Sequence, residues 1–140
     1  MTYADLLLHI DTYPKPTTAA AINEAVALAA SLGGKLTGLA VEVEIPVHSN
    51  RLADYLIGLT AMTDAEEARS RAACRDGLAH FTKAATAAGI VHATLSKKVN
   101  HYDVPGKVAA LARTYDLSIL PMVVGFDGQV EFADTVVFNS

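Results

Sequence analysis

The fold is decided by residues 3–43, YADLLLHIDTYPKPTTAAAINEAVALAASLGGKLTGLAVEV. A short apolar strand from Tyr3 to Ile10 ends at Asp11, and a turn, Thr12 to Pro16, leads into an alanine-rich helix, Thr18 to Leu32. The glycine pair that follows is typical of a helix C-terminus. A strand followed by a helix and a second apolar stretch predicts a parallel sheet. Asp11 then lies at the carboxyl end of its first strand, where open α/β sheets place ligands.

The rest of the chain continues to alternate short apolar segments with helical patterns. This alternation predicts a parallel sheet that is covered by helices on both faces. The four predicted strands are Leu6 to Ile10, Leu36 to Val43, Val91 to Val99 and Leu117 to Met122.

Two more helices are predicted from start and stop signals. Thr63-Asp64-Ala65-Glu66 has the spacing of a capping box, which predicts that a long helix starts at Thr63 and stops where Gly89 adopts the left-handed conformation. Asp103 is the predicted cap of a third helix, with Pro105 in its first turn. The segment Ile45 to Met62 carries leucines at helical spacing. It either packs on its own domain or forms a lid or partner surface, and the sequence leaves both open.

Composition limits the class of protein. The 140 residues, 51% of them apolar, fit one domain with its own core. Eleven basic and 15 acidic residues give a net charge of −4, and no run of Lys or Arg could follow a nucleic-acid backbone, so no nucleic-acid partner is expected. No apolar run approaches the roughly 18 residues of a membrane helix, so no membrane contact is expected. The single cysteine, Cys74, suits a reducing compartment and predicts a cytoplasmic protein.

The order of these segments resembles the universal stress protein family over nearly the whole chain. The resemblance is most specific in ALAASLGGKLTGLAV, residues 27–41, and in VAALARTYDLSIL, residues 108–120. It implies an α/β, flavodoxin-like or Rossmann-like open parallel sheet of order 3-2-1-4-5 with helices on both faces. It also implies a homodimer or a second tandem universal stress protein domain as partner, and adenine-nucleotide binding in one branch of the family. A member would continue for about ten residues into a fifth strand, so residues 1–140 are expected to form one such domain without its C-terminal strand.

The chain departs from the loop that holds phosphates in that nucleotide-binding branch. Pro121 stands where the first glycine is expected, and proline offers no amide hydrogen to a phosphate oxygen. Gly125 and Gly128 keep a GxxG pattern, but the expected Gly-Ser or Gly-Thr nine residues on is replaced by Phe138-Asn139. Residues 121–140 contain three acidic residues and no basic one, a charge of −3 that repels a triphosphate. No cofactor is therefore expected, although a Mg²⁺ ion that bridges carboxylates and phosphates would still allow ATP.

The candidate site is a ligand site, with no catalytic and no metal-ligating residues. Asp11 either faces a ligand or accepts amides of its own turn, and both interpretations stay open. His9, inside a strand covered on both faces, is predicted to be a buried neutral imidazole, and Cys74 a packing residue. The candidate ligand contacts are Asp11, Thr12, Val41, Met122, Gly125 and Gly128.

Two functions are consistent with these residues. The first is a non-catalytic stress-response domain that dimerises and holds a small apolar or weakly polar ligand near Asp11. The alternative is a domain of the same family that binds or hydrolyses ATP, with Asp11 as a metal or ribose contact. A flavin carrier is a third option, disfavoured because Pro14 and Pro16 remove amides from the first loop. The sequence does not decide whether the chain is an enzyme and favours a non-catalytic role.

Overall fold

The computed structural model describes residues 4–46, 53–122 and 127–139, with the backbone alone described for 53–57 and 127–130. Strands and helices alternate along these residues. The first half contains β1 (Asp5–Ile10), α1 (Ala19–Leu32), β2 (Lys35–Glu44) and α2 (Ala53–Ala87). The second half contains β3 (His92–Asn100), a 3₁₀ turn (His101–Asp103), α3 (Val104–Ala112), β4 (Leu117–Ile119) and α4 (Asp127–Asn139).

All the described strands pair in parallel, in the order β3-β2-β1-β4. This confirms the predicted α/β class and the order 3-2-1-4. β4 ends at Ile119 rather than at Met122, because Pro121 has no amide hydrogen to donate to a strand ladder. The N-terminal ends of β1 and β4 are joined by Asp116, whose Oδ2 accepts from the amides of Ala4 and Asp5, each at 2.9 Å.

Helices cover both faces of the sheet, as the sequence predicts. α1 and α2 cover one face, on which Leu6, Leu8, Ile22, Val26, Phe81 and Ala85 form a buried cluster. α3 and α4 cover the other, with a cluster of Leu7, Leu39, Val41, Val108, Ala112 and Val136.

α1 has the ends that its sequence predicts. The Thr18 hydroxyl accepts from the amide of Ala21 at 3.1 Å and so caps the N-terminus. Gly33 ends the helix with φ 81°, a left-handed conformation, and donates its amide to the Ala29 carbonyl.

α2 contradicts the predicted capping box. The helix is 35 residues long and already runs through Thr63, whose hydroxyl donates to the carbonyls of Leu59 and Thr60 in the preceding turn. Glu66 pairs with Arg69 at 2.9 Å. A threonine hydroxyl can accept from a backbone amide that follows it, as a helix cap, or donate to a carbonyl of the preceding turn, inside a helix. The Thr63 hydroxyl makes the second kind of hydrogen bond. The predicted start at Thr63 is therefore wrong, and residues 53–62 of the predicted separate segment belong to this helix.

α3 also begins differently from its prediction. Asp103 precedes the helix, but its side chain makes no capping hydrogen bond. Its backbone has φ −94° and ψ −5°, a helical conformation, whereas a capping side chain needs an extended one. The 3₁₀ turn before the helix is capped instead by Asn100, whose Oδ1 accepts from the amide of Tyr102 at 3.0 Å. Asp103 as a cap is therefore wrong, while Pro105 lies in the first turn as predicted.

Candidate functional site

A cavity of about 250 Å³ opens at the carboxyl edge of the sheet, and we call it the Asp11 cavity. Its walls come from the end of β1 and the turn after it, from β2, from the 3₁₀ turn with the start of α3, and from α4. The side chains along these walls include His9, Asp11, Thr12, Tyr13, Lys15, Val41, Val43, His101, Val104 and Phe132.

His9 and Asp11 form the polar centre of the cavity. The His9 Nδ1 atom lies 3.4 Å from Asp11 Oδ1, and the two side chains are 3% and 17% exposed. The carboxylate favours a protonated imidazole, but burial outweighs it and lowers the pKa of His9 from 6.5 to about 4. The burial of His9 confirms that part of the sequence prediction, and the lowered pKa favours the neutral imidazole at physiological pH.

Phe132 of α4 covers the His9 ring. The two rings are stacked, with centroids 4.8 Å apart and planes inclined by 16°. Tyr13 meets His101 edge to face, with centroids 5.6 Å apart. The cavity is thus bounded by flat rings as well as by valines, a lining suited to a flat apolar molecule.

The turn after β1 is closed by Asp11 and Thr17. The Asp11 amide donates to the Thr17 hydroxyl at 2.8 Å, and the Thr17 amide donates back to the Asp11 carbonyl at 3.0 Å. These bonds fix the backbone of Asp11, so its carboxylate is held at the cavity wall.

Thr12 ties the turn to the rest of the domain through Ser70 of α2. The Thr12 hydroxyl donates to the Val41 carbonyl and lies 2.8 Å from the Ser70 hydroxyl, which accepts from the Val43 amide at 3.0 Å. These bonds form one continuous chain if Ser70 donates to Thr12. Both hydroxyls are buried. The Thr12 hydroxyl thus supports the cavity wall by joining the turn, β2 and α2.

Several residues of the cavity and its support were not predicted from the sequence. Ser70 continues the buried stripe of α2 through Cys74 and Phe81, and that spacing was the available signal for it. Phe132, His101 and Lys15 had no such signal, because their places in the cavity depend on how distant segments pack together.

The predicted ligand contacts do not all line the same cavity. Asp11, Thr12 and Val41 line the Asp11 cavity, whereas Met122 lines a different one with Pro121, between α1 and the end of β4. Gly125 lies outside the described residues. Gly128 belongs to the first turn of α4, of which the backbone alone is described.

Cys74 is buried and in contact with the core cluster, which confirms its packing role, and its Sγ lies 3.4 Å from the Ser96 hydroxyl.

Within the described ranges, no three His, Cys, Asp or Glu side chains come together in a way that could hold a metal ion. The same ranges contain no helix with the length and apolar character needed to cross a membrane.

Two solved structures resemble this chain over almost all of its length. A protein of the universal stress protein family from Burkholderia pseudomallei has a TM-score of 0.63 and 18% identity, covering 97% of this chain and 89% of that one. Universal stress protein UspA from Lactobacillus plantarum has a TM-score of 0.62 and 21% identity, covering 100% of this chain and 94% of that one. No protein-family model and no curated protein matches the sequence. The chain therefore has the universal stress protein fold, as its sequence resemblance implied.

Proposed function

We propose that this chain is a stress-response domain of the universal stress protein type, without a catalytic role, that holds a small and mostly apolar ligand in the Asp11 cavity. The observation that carries the proposal is the cavity itself. It lies at the carboxyl edge of a parallel sheet, where open α/β folds bind ligands, and it is lined by Asp11, the acid that follows β1.

The lining of the cavity defines the kind of ligand. The stacked rings of His9 and Phe132 and the valines of β2 offer apolar contact. Asp11 offers carboxylate oxygens, and a carboxylate has room for about four hydrogen bonds. A flat apolar molecule with one N–H or O–H donor complements this arrangement. At about 250 Å³, the cavity is just below the range of roughly 300–1,000 Å³ that drug-sized ligands occupy, which favours a small molecule.

Adenine-nucleotide binding is the second candidate, because Asp11 and Val41 share one cavity at the edge where a nucleotide would be held. The residues present do not fit the triphosphate. Among the described side chains of the cavity, Lys15 is the single lysine or arginine. α4 begins at Asp127, within a segment whose charge is −3, so the end of the helix nearest the edge offers a phosphate little attraction.

Parallel titrations with indole and with ATP plus Mg²⁺ test the proposal. Indole is flat, apolar and carries one N–H donor. We expect it to bind saturably in calorimetry, with a dissociation constant at or below about 1 mM, an affinity accessible to a small ligand of this kind. We expect no saturable heat from ATP in the same range, with or without Mg²⁺. Micromolar binding of ATP, or no binding of indole, contradicts the proposal.

Dimerisation is the second part of the proposed function. Within the described residues, no strand pairs with the outer edge of β4, and open backbone groups of this kind accept a strand from a partner. Leu28 and Met122, which line the cavity beside that edge, are 47% and 50% exposed. We propose that a second copy of the chain covers this edge. We also propose that the protein is cytoplasmic, a compartment in which the lone buried thiol of Cys74 stays reduced.

Light scattering on the full chain tests the dimer. We expect the mass of two chains, and we expect the double variant Leu28→Lys/Met122→Lys to give the mass of one, because four charges would be buried together in the pair. The control Met62→Lys/Val91→Lys adds the same charges at exposed apolar positions elsewhere and should stay dimeric. A single-chain mass for the unmodified protein, or equal dissociation of both variants, excludes this interface.

A further inference from the structure

A separate cavity of about 340 Å³ lies between β3 and α3, and we call it the lysine cleft. It adjoins the Asp11 cavity, because Val41 lines both, but it is bounded by different charged residues. Lys97 and Lys98 of β3 line one wall and Lys107 of α3 the other, above a floor of Val41, Val99, Val108 and Leu111.

The strand register shows which lysine faces α3. Lys97 is the partner of Val41 on β2, and Val41 belongs to the cluster that α3 covers through Val108. Neighbouring residues in register project from the same face, so Lys97 lies on the α3 side. Lys98 belongs to the opposite face, where its Nζ lies 3.5 Å from Glu44 Oε1. The cleft is therefore flanked by Lys97 and Lys107.

The ammonium groups of Lys97 and Lys107 form no ion pair with the carboxylates that the structure describes. Among the residues that the structure describes, neither Lys97 nor Lys107 has an Asp or Glu oxygen within 4.0 Å. Asp103, one helical turn before Lys107, does not pair with it. The chain has a net charge of −4, yet Lys97 and Lys107 stand on either side of this one cavity. The cleft is thus a locally positive site on an acidic protein, which attracts anions.

The apolar floor of the cleft favours a ligand that has an apolar part as well as a negative charge. Val41 and Val108 are buried, whereas Val99 and Leu111 are half-buried and leave apolar surface open to the cleft. Its volume falls within the range of roughly 300–1,000 Å³ of ligand sites. A molecule that complements both parts carries one acidic group and an apolar chain. We propose that the lysine cleft binds a small organic acid with an apolar chain, of the medium-chain carboxylate class.

Calorimetric titration of the full chain with decanoate tests this site. We expect saturable binding that weakens as salt is added, since salt screens the attraction between the carboxylate and the lysines. The double variant Lys97→Gln/Lys107→Gln should weaken binding about tenfold or more. The control Lys35→Gln/Lys83→Gln makes the same change of charge at exposed positions away from the cleft and should leave binding unchanged.

The chain length of the acid tests the apolar floor. Each added CH₂ from hexanoate to decanoate should strengthen binding by up to about fourfold while the chain still contacts the floor. Decanol, which lacks the charge, should bind more weakly than decanoate. The proposal is overturned by an absence of decanoate binding, by equal weakening in the two lysine double variants, or by equal affinity for hexanoate and decanoate. It is also overturned if Lys15→Gln, and not the cleft variant, abolishes binding, because the acid would then lie in the Asp11 cavity.

Discussion

Replacing Phe81 with alanine is expected to lower the free energy of unfolding by about 3–5 kcal/mol, the usual cost of emptying a fully buried phenylalanine site. Phe81 is 0% exposed and lies against Gly38 in the middle of β2. A Cβ atom added at Gly38 would stand 2.8 Å from Phe81 Cδ1, closer than real Cβ contacts come. The Phe81 ring therefore occupies space that the glycine leaves free.

This contact makes the two positions interdependent. Gly38→Ala alone is expected to cost about 1–3 kcal/mol, because it overpacks the ring. In the double variant the added methyl fills part of the space left by Phe81→Ala, so the loss should be smaller than the sum of the single losses by about 1 kcal/mol or more. Denaturant unfolding of the four proteins measures these differences.

Gly106 of α3 provides the matched control for Gly38. A Cβ atom there would meet nothing within 4 Å, so Gly106→Ala should leave stability unchanged or raise it by up to about 1 kcal/mol. A close contact between Gly38 and Phe81 is contradicted if Gly38→Ala is as harmless as Gly106→Ala, or if the losses at Gly38 and Phe81 are additive.

The second large effect is a loss of stability in acid that depends on His9. Burial lowers the pKa of His9 from 6.5 to about 4, so between these values the unfolded chain binds a proton that the folded chain does not. The stabilising contribution is complete above about pH 6.5 and is lost progressively as the pH falls toward 4. Its full extent is about 3–4 kcal/mol, at roughly 1.4 kcal/mol for each pH unit between the two pKa values.

Urea unfolding at several pH values between 4.5 and 7 measures this contribution. Carboxylates also titrate at the acid end, so the informative quantity is the difference between the unmodified protein and His9→Gln, which should shrink as the pH falls. His80→Gln removes a different imidazole, one that hydrogen-bonds Asn23 on the surface of the domain, and should keep the slope of the unmodified protein. Parallel stability curves for the unmodified protein and His9→Gln would contradict a buried neutral His9.

Much of the fold was predictable because it depends on local patterns. The cap at Thr18, the left-handed Gly33 and the apolar strands are all fixed by residues close together in sequence. The start of α2 was not predictable in this way, since Thr63 and Glu66 satisfy a capping box and an uninterrupted helix equally well. The choice depends on residues further upstream and on packing.

The candidate site was predictable only in part. Asp11, Thr12 and Val41 follow from the rule that parallel strands end at one edge, and the cavity contains all three. Phe132 of α4 lines the cavity, and Ser70 of α2 supports its wall through Thr12. No local pattern specifies where α2 and α4 lie over the sheet. Met122 was grouped with Asp11 because it is the last residue of the predicted fourth strand, but β4 ends at Ile119 and Met122 lies in the cavity beside α1.

The most direct test of the ligand site is an NMR titration of the full chain with indole, in the unmodified protein and in Asp11→Ala. Removing a charged acceptor should weaken binding by about tenfold or more. Glu24→Ala removes a carboxylate from the cavity that holds Met122 and should leave the affinity unchanged. We predict that the amide signals of Asp11, Val41 and Val104 shift and saturate together. Unchanged affinity in Asp11→Ala, or shifts confined to other parts of the chain, would contradict a ligand site at the carboxyl end of β1.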